Sequence, residues 1–174
     1  QLIEERQLPA VILRPVWVYG PDCQRTRKLF EAIAKGRFLV AGKGDTLRHC
    51  LYIEDMVETM VHAATVDAAV GETLVIGVDR PVTIRFLVDE IARLTQARPP
   101  VSVPFAFMQA LATTSEFAFK GVGREPPLSR RSLRFFTGNT AFRTDKARRV
   151  IALRPRSDLA RGLAETHRRI ADGN

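Results

Sequence analysis

The chain has 174 residues, 45% of them hydrophobic and 26% charged, which is enough to bury the core of one domain. It contains no apolar run of about 18 residues, so no membrane-crossing helix is expected. Its Gln-Leu-Ile-Glu-Glu-Arg start has neither the charge nor the length of a signal peptide. Cys23 and Cys50 are too few for a disulfide framework, which fits a reduced, cytoplasmic protein. The formal charge of +8 is concentrated at one end: residues 1–120 carry 14 Lys/Arg and 14 Asp/Glu, residues 121–174 carry 13 and 5. An Arg-rich solvated face explains this without a partner; an anionic membrane surface or a phosphorylated substrate is the alternative. Zinc-finger spacing, an aromatic RNA-binding signature and Gly-Lys repeats are all absent from the sequence, so nucleic acid is not an expected partner.

Residues 1–7 fit the end of a helix. Val11 to Leu13 form an apolar run ahead of Arg14-Pro15, read as a buried parallel strand that Pro15 stops by removing a backbone donor. Gly20-Pro21 turns the chain. A helix follows from Gln24 to Lys35, ended by Gly36. Phe38–Val40 reads as a short strand before the Gly42/Gly44 turn, and Leu47–Ile53 as another. Between Glu54 and Val66, Met56, Val57, Met60, Val61 and Ala64 recur at helical spacing and predict a core-facing stripe. Thr73–Val78 is rich in Val and Ile and is expected to run parallel to the first strand. Thr83 stands at an N-cap position before a helix with Ile84, Leu87, Val88 and Ile91 on one face. After Pro99-Pro100 and a short strand at Val101–Val103, Phe105 to Phe119 is apolar on most sides. It reads as a buried helix, a lid over a pocket, or a partner surface. Short helices are expected at Ser129–Phe136 and Asp145–Ile151. Asp158 is the expected N-cap of the last helix.

Four blocks in register carry a resemblance. Leu13-Arg14-Pro15-x-x-Val18-Tyr19-Gly20-Pro21 is the first. The second is Gly42-x-Gly44 followed by Arg48 through Asp55. The third is the run from Pro81 to Ile91, and the fourth is Asp145-Lys146-Ala147-Arg148 followed by Leu153, Pro155, Leu159, Gly162 and Leu163. Together they resemble the C-terminal portion of NAD-dependent epimerases and dehydratases, the extended short-chain dehydrogenase/reductase family. The resemblance implies an α/β fold: the trailing strands and helices of a Rossmann-type parallel sheet plus a small mixed substrate-binding lobe. It makes residues 1–174 a single C-terminal fragment, and the start at Gln1 rather than Met fits a piece of a longer chain. The family's Gly-x-x-Gly-x-x-Gly loop and Tyr-x-x-x-Lys pair occur nowhere in the sequence. No catalytic residue is therefore assigned, and the isolated fragment is expected to be inactive and to bind neither NAD nor NADP, which would belong to the intact parent.

The same resemblance assigns roles to individual residues. Pro15, Val16 and Val18 would pass close to the nicotinamide. Arg48 stands where sugar-nucleotide members hold a diphosphate, a task that suits the guanidinium fork; a surface ion pair with Glu54 or Asp45 is the plainer reading. Arg131 and Arg134 would supply a second phosphate contact. Trp17 departs from the Asn usual in nucleotide-sugar epimerases and is closer to the aromatic found in the 3β-hydroxysteroid dehydrogenase branch. The expected substrate is thus a sugar nucleotide or a hydrophobic alcohol. A non-catalytic binding or assembly protein at an anionic membrane surface is the rival reading. His49, His62 and His167 are scattered and suggest no metal site. Strands 11–15 and 73–78 would expose an edge without the missing N-terminal half, so a homo-oligomer is expected.

Overall fold

The computed structural model describes residues 8–120, 128–153 and 155–173; the helix end expected over residues 1–7 lies outside them. The strands in chain order are β1 (Ile12–Pro15), β2 (Trp17–Tyr19), β3 (Leu39–Ala41), β4 (Leu47–Arg48), β5 (Cys50–Tyr52), β6 (Thr73–Ile76), β7 (Val82–Thr83) and β8 (Val101–Val103). The helices are α1 (Gln24–Ala34), α2 (Ile53–Ala63), α3 (Ile84–Leu94), α4 (Phe105–Phe119), α5 (Arg130–Leu133), α6 (Asp145–Ile151) and α7 (Leu159–Asp172). They gather into two compact units: residues 1–27, 48–82 and 140–174 in one, 28–47 and 83–139 in the other.

In the first unit β1 pairs with β6 in parallel, from Ile12 opposite Thr73 to Pro15 opposite Ile76. The expected pairing of these two strands is therefore present. Pro15 ends β1, as read from the sequence, though the strand is largely exposed and not buried. Pro15 also marks a change of partner: Val16 N donates to Ile76 O at 2.9 Å, Trp17 N donates to His49 O at 3.2 Å, and β2 then runs parallel to β5. Leu51, Leu74 and Ile76 from the strands meet Ala147 and Ile151 of α6 in the core.

Helix α2 corrects the expected stripe. Its buried residues are Asp55, Met56, Thr59 and Ala63. Val57, Met60 and Val61 are 51%, 53% and 66% exposed, so the apolar pattern in the sequence lies mainly on the solvent side. The buried side is completed instead by small and polar residues whose atoms find partners, such as Thr59 Oγ1 donating to Asp55 O at 2.6 Å. The last helix starts as expected: the Asp158 carboxylate accepts from Arg161 N at 2.8 Å.

In the second unit β3 and β8 form a parallel pair, Leu39 opposite Val101 through Ala41 opposite Val103. Thr83 Oγ1 accepts from Phe86 N at 3.1 Å, and Ile84, Leu87, Val88 and Ile91 are buried, as the periodicity requires. Gly44 has φ +75° and comes so close to Val40 and Arg85 that a Cβ would clash. Met108 and Ala112 of α4 pack with Ala41 and Leu133. They are the only buried residues of that helix, so the reading of residues 105–119 as a buried helix is corrected: α4 is a surface helix.

Candidate functional site

The C-terminal ends of parallel strands are where open α/β sheets bind ligands, and in the first unit the ends of β1 and β6 lie at His49, which itself precedes β5. Arg48, His49, Cys50, Leu51 and Tyr52 are all buried, as in strands covered on both faces. His49 is 1% exposed. One ring nitrogen, Nε2, lies 2.6 Å from Val78 O, and the other, Nδ1, accepts from Phe142 N at 3.2 Å. With Nδ1 accepting, Nε2 is the nitrogen placed to donate to Val78 O. Thr144 Oγ1 reaches the same Val78 carbonyl at 3.4 Å, and the Phe142 ring stacks on the imidazole at 6.5 Å. His49 thus pins the loop after β6 to the segment before α6. Gly77 makes this possible, since a Cβ there would sit 3.0 Å from Val16 Cγ1 and 3.2 Å from His49 Nε2. Sequence reasoning weighed His49 only as a metal ligand and missed this role. The signal was its place in a strand with no solvent side.

Arg48 is 5% exposed and forms a parallel backbone bridge with Thr140, whose hydroxyl also accepts from the guanidinium at 3.2 Å. Burial pushes the guanidinium below the usual arginine range, with the Cys50 sulfur acting in the opposite direction. The cation is buried, not at the surface as the ion-pair reading from the sequence would place it. Trp17 is half-buried and opposes Cys50 across the β2–β5 pair. Burial pushes the Cys50 thiol up to about 12, the Arg48 charge offsetting part of the rise. Val16 faces the core, and its N–H is spent on Ile76. Val18 is half-buried and packs against the same core, while Pro15 is exposed. Arg131 on α5 and Arg134 in the 3-10 turn after it are exposed residues of the second unit. The first unit therefore brings together Pro15, Val16, Trp17, Val18 and Arg48 of the expected set.

Behind these residues, Tyr19 is 3% exposed and its ring lies 5.7 Å from that of Tyr52. Burial raises its phenol well above the ordinary tyrosine range, and Cys50, Asp55, Tyr52 and Asp158 add to the rise. A phenolate is disfavoured there, and both nitrogens of His49 are engaged. Asp55 is committed as well: its two oxygens accept from Arg156 N at 2.9 Å and Ser157 N at 3.2 Å. Glu54, its neighbour, pairs with Arg169, so the two carboxylates act apart rather than as an acid/base couple. What this arrangement offers is a buried cation, an indole and a rigid frame, which are tools for binding and orienting. Among the described residues no group of three or more His, Cys, Asp or Glu could hold a metal ion, and no helix is long and apolar enough to cross a membrane.

Residues 1–77 match the model of the NAD dependent epimerase/dehydratase family. No curated protein matches the sequence. Among solved structures, the chain is similar to an epimerase from Methanothermobacter thermautotrophicus (TM-score 0.72, 19% identity, covering 99% of this chain and 46% of that one). It is also similar to the UDP-glucose 4-epimerase of Thermotoga maritima solved with UDP-glucose (0.70, 20% identity, 98% and 48%). A third is the UDP-glucuronic acid 4-epimerase of Bacillus cereus solved with UDP-glucuronic acid and NAD (0.67, 19% identity, 99% and 48%). The chain spans about half the length of each of these structures. The fold is the mixed α/β, Rossmann-like fold of the epimerases, and the first two of the four sequence blocks fall within the residues that match the family model.

Proposed function

We propose that this chain, whose residues 1–77 match the NAD dependent epimerase/dehydratase family, forms the substrate-side portion of an NAD(P)-dependent epimerase or dehydratase acting on a nucleoside diphosphate sugar. The observation that carries the reading is Arg48: a guanidinium kept buried and oriented by Thr140 beside the strand ends is suited to receive a diphosphate. That two of the similar structures hold UDP-sugars supports the same substrate class. Trp17 favours a second reading, a flat hydrophobic alcohol, because its indole offers an apolar face and a single donor.

Tested against NAD, the residues present fit only in part. The sequence has no glycine-rich loop to cradle a pyrophosphate, and the Val16 N–H is already engaged with Ile76. Pro15 to Val18 would border the nicotinamide but not hold the coenzyme, so the fragment alone is read as inactive.

Substitution of Arg48 in the full-length protein tests the reading. Arg48→Ala should raise KM for a UDP-sugar about tenfold or more with a smaller change in kcat, since it removes binding shared by ground and transition state. Arg48→Lys should not restore it, because an ammonium cannot replace the fork. An unchanged KM, or turnover of flat apolar alcohols in place of UDP-sugars, would contradict the sugar-nucleotide reading.

A further inference from the structure

Helix α4 has only one ionisable side chain in 15 residues, Glu116, and its Oε1 accepts from Arg130 N at 2.7 Å. Its inner side is the narrow stripe of Met108 and Ala112. Its outer side carries Phe107 (55% exposed), Leu111 (41%) and Phe117 (81%), with Ala106, Ala110 and Ala118 exposed between them. The two threonines on that side do not make it polar. Thr113 Oγ1 donates to Gln109 O at 2.9 Å and Thr114 Oγ1 to Ala110 O at 3.0 Å, turning their hydroxyls back onto the helix. A solvated helix normally presents charge on its outer face; this one presents none.

Cations border the apolar face. The Arg130 guanidinium lies 3.4 Å from Thr113 Oγ1 and, 65% exposed, 3.9 Å from Glu116 Oε2; Lys120 follows the helix, and Arg131 and Arg134 are exposed on the next turns. Residues 105–134 hold 5 Lys/Arg and 2 Asp/Glu. We propose that α4 is an interfacial helix that docks the second unit on an anionic lipid surface, with Phe107, Leu111 and Phe117 entering the acyl boundary and Lys120 and Arg130 meeting the headgroups. At 1.5 Å per residue the helix is about 22 Å long, too short to cross a hydrocarbon core of about 30 Å but suited to lie in its boundary. The small-residue stripe Ala106, Ala110, Thr114 would admit a second α4, but two copies face to face would bring the bordering cations together, a like-charge contact that an anionic surface turns into attraction. This inference does not depend on the substrate assigned above.

Flotation of the full-length protein with phosphatidylcholine vesicles, with and without about 30% phosphatidylglycerol, tests it at about 0.15 M salt. Binding should require the anionic lipid. Phe107→Asp with Phe117→Asp should lower it about tenfold or more, and Lys120→Glu with Arg130→Glu should abolish the anionic preference. Both pairs are exposed, and circular dichroism and an unchanged Tm verify their fold. Absence of vesicle binding, binding without anionic preference in the unsubstituted protein, or binding indifferent to the phenylalanine pair would each overturn the proposal. A lipid-free dimer abolished by the phenylalanine pair would overturn it too, by making a second copy the occupant.

Discussion

Tyr19 and Gly162 show why two distant sequence blocks belong together. A Cβ on Gly162 would sit 2.1 Å from the Tyr19 hydroxyl and 2.9 Å from its ring carbon Cζ, so the phenol occupies the space a side chain on α7 would need. Gly162→Ala should therefore destabilise the protein by about 1–3 kcal/mol, the usual cost of overpacking a core. Adding Tyr19→Phe, which removes the nearest atom, should recover part of that loss. Denaturant titration of the single and double variants measures the coupling, and purely additive losses would contradict the contact. Both residues were visible in the sequence as parts of motifs, but nothing in their spacing said that one excludes a side chain from the other. Such reciprocal contacts depend on how α7 crosses the strand ends, which local periodicity does not encode. His49 was hidden for a similar reason: its partners, Val78 and Phe142, lie 29 and 93 residues away.

Among the elements, those governed by local chemistry were legible in the sequence. The caps at Thr83 and Asp158, the helix Asp145–Ile151 and the Gly36 stop all follow from residues within a turn of the boundary. Helix α2 was not, because its sequence carries two usable faces and the fold buries the less apolar one. The exposed stripe of Val57, Met60 and Val61 has the composition of a buried surface. Our reading is that this stripe is covered by the other half of a Rossmann-type domain. Val57→Lys with Val61→Lys should then change the Tm of the 174-residue chain little while reducing its self-association in sedimentation velocity. In the full-length protein the same pair should destabilise by about 2 kcal/mol or more, as for charges placed in a core. Equal, small effects in both would show that the stripe is solvent-facing everywhere.

For the whole molecule, the parallel pairing of β1 with β6 and the presence of β2–β5 beside it carry the likeness to epimerases that the sequence blocks announced. The lopsided charge was equally plain in the sequence, yet its meaning depended on structure: cations border an uncharged helix face in one unit, and form exposed ion pairs such as Arg168 with Glu165 in the other. Ion pairs of that exposed kind contribute little to stability, so the C-terminal arginines there act as a solvated surface. The site itself was half legible. Trp17 and Arg48 were singled out as candidates by motif register, whereas their neighbours His49, Gly77 and Thr140 emerged only when three separate chain segments were brought together.

Trp17 is the only tryptophan of the chain and pairs with Cys50, the first residue of β5 and two residues after Arg48, so its fluorescence offers a direct readout of binding. Titration of the full-length protein with UDP, followed by the tryptophan fluorescence that Trp17→Phe removes and corrected for absorbance, should give a saturable change that Arg48→Ala abolishes. A flat response, one that survives Arg48→Ala unchanged, or one elicited by sterol-like alcohols and not by UDP, would contradict a diphosphate site at Arg48.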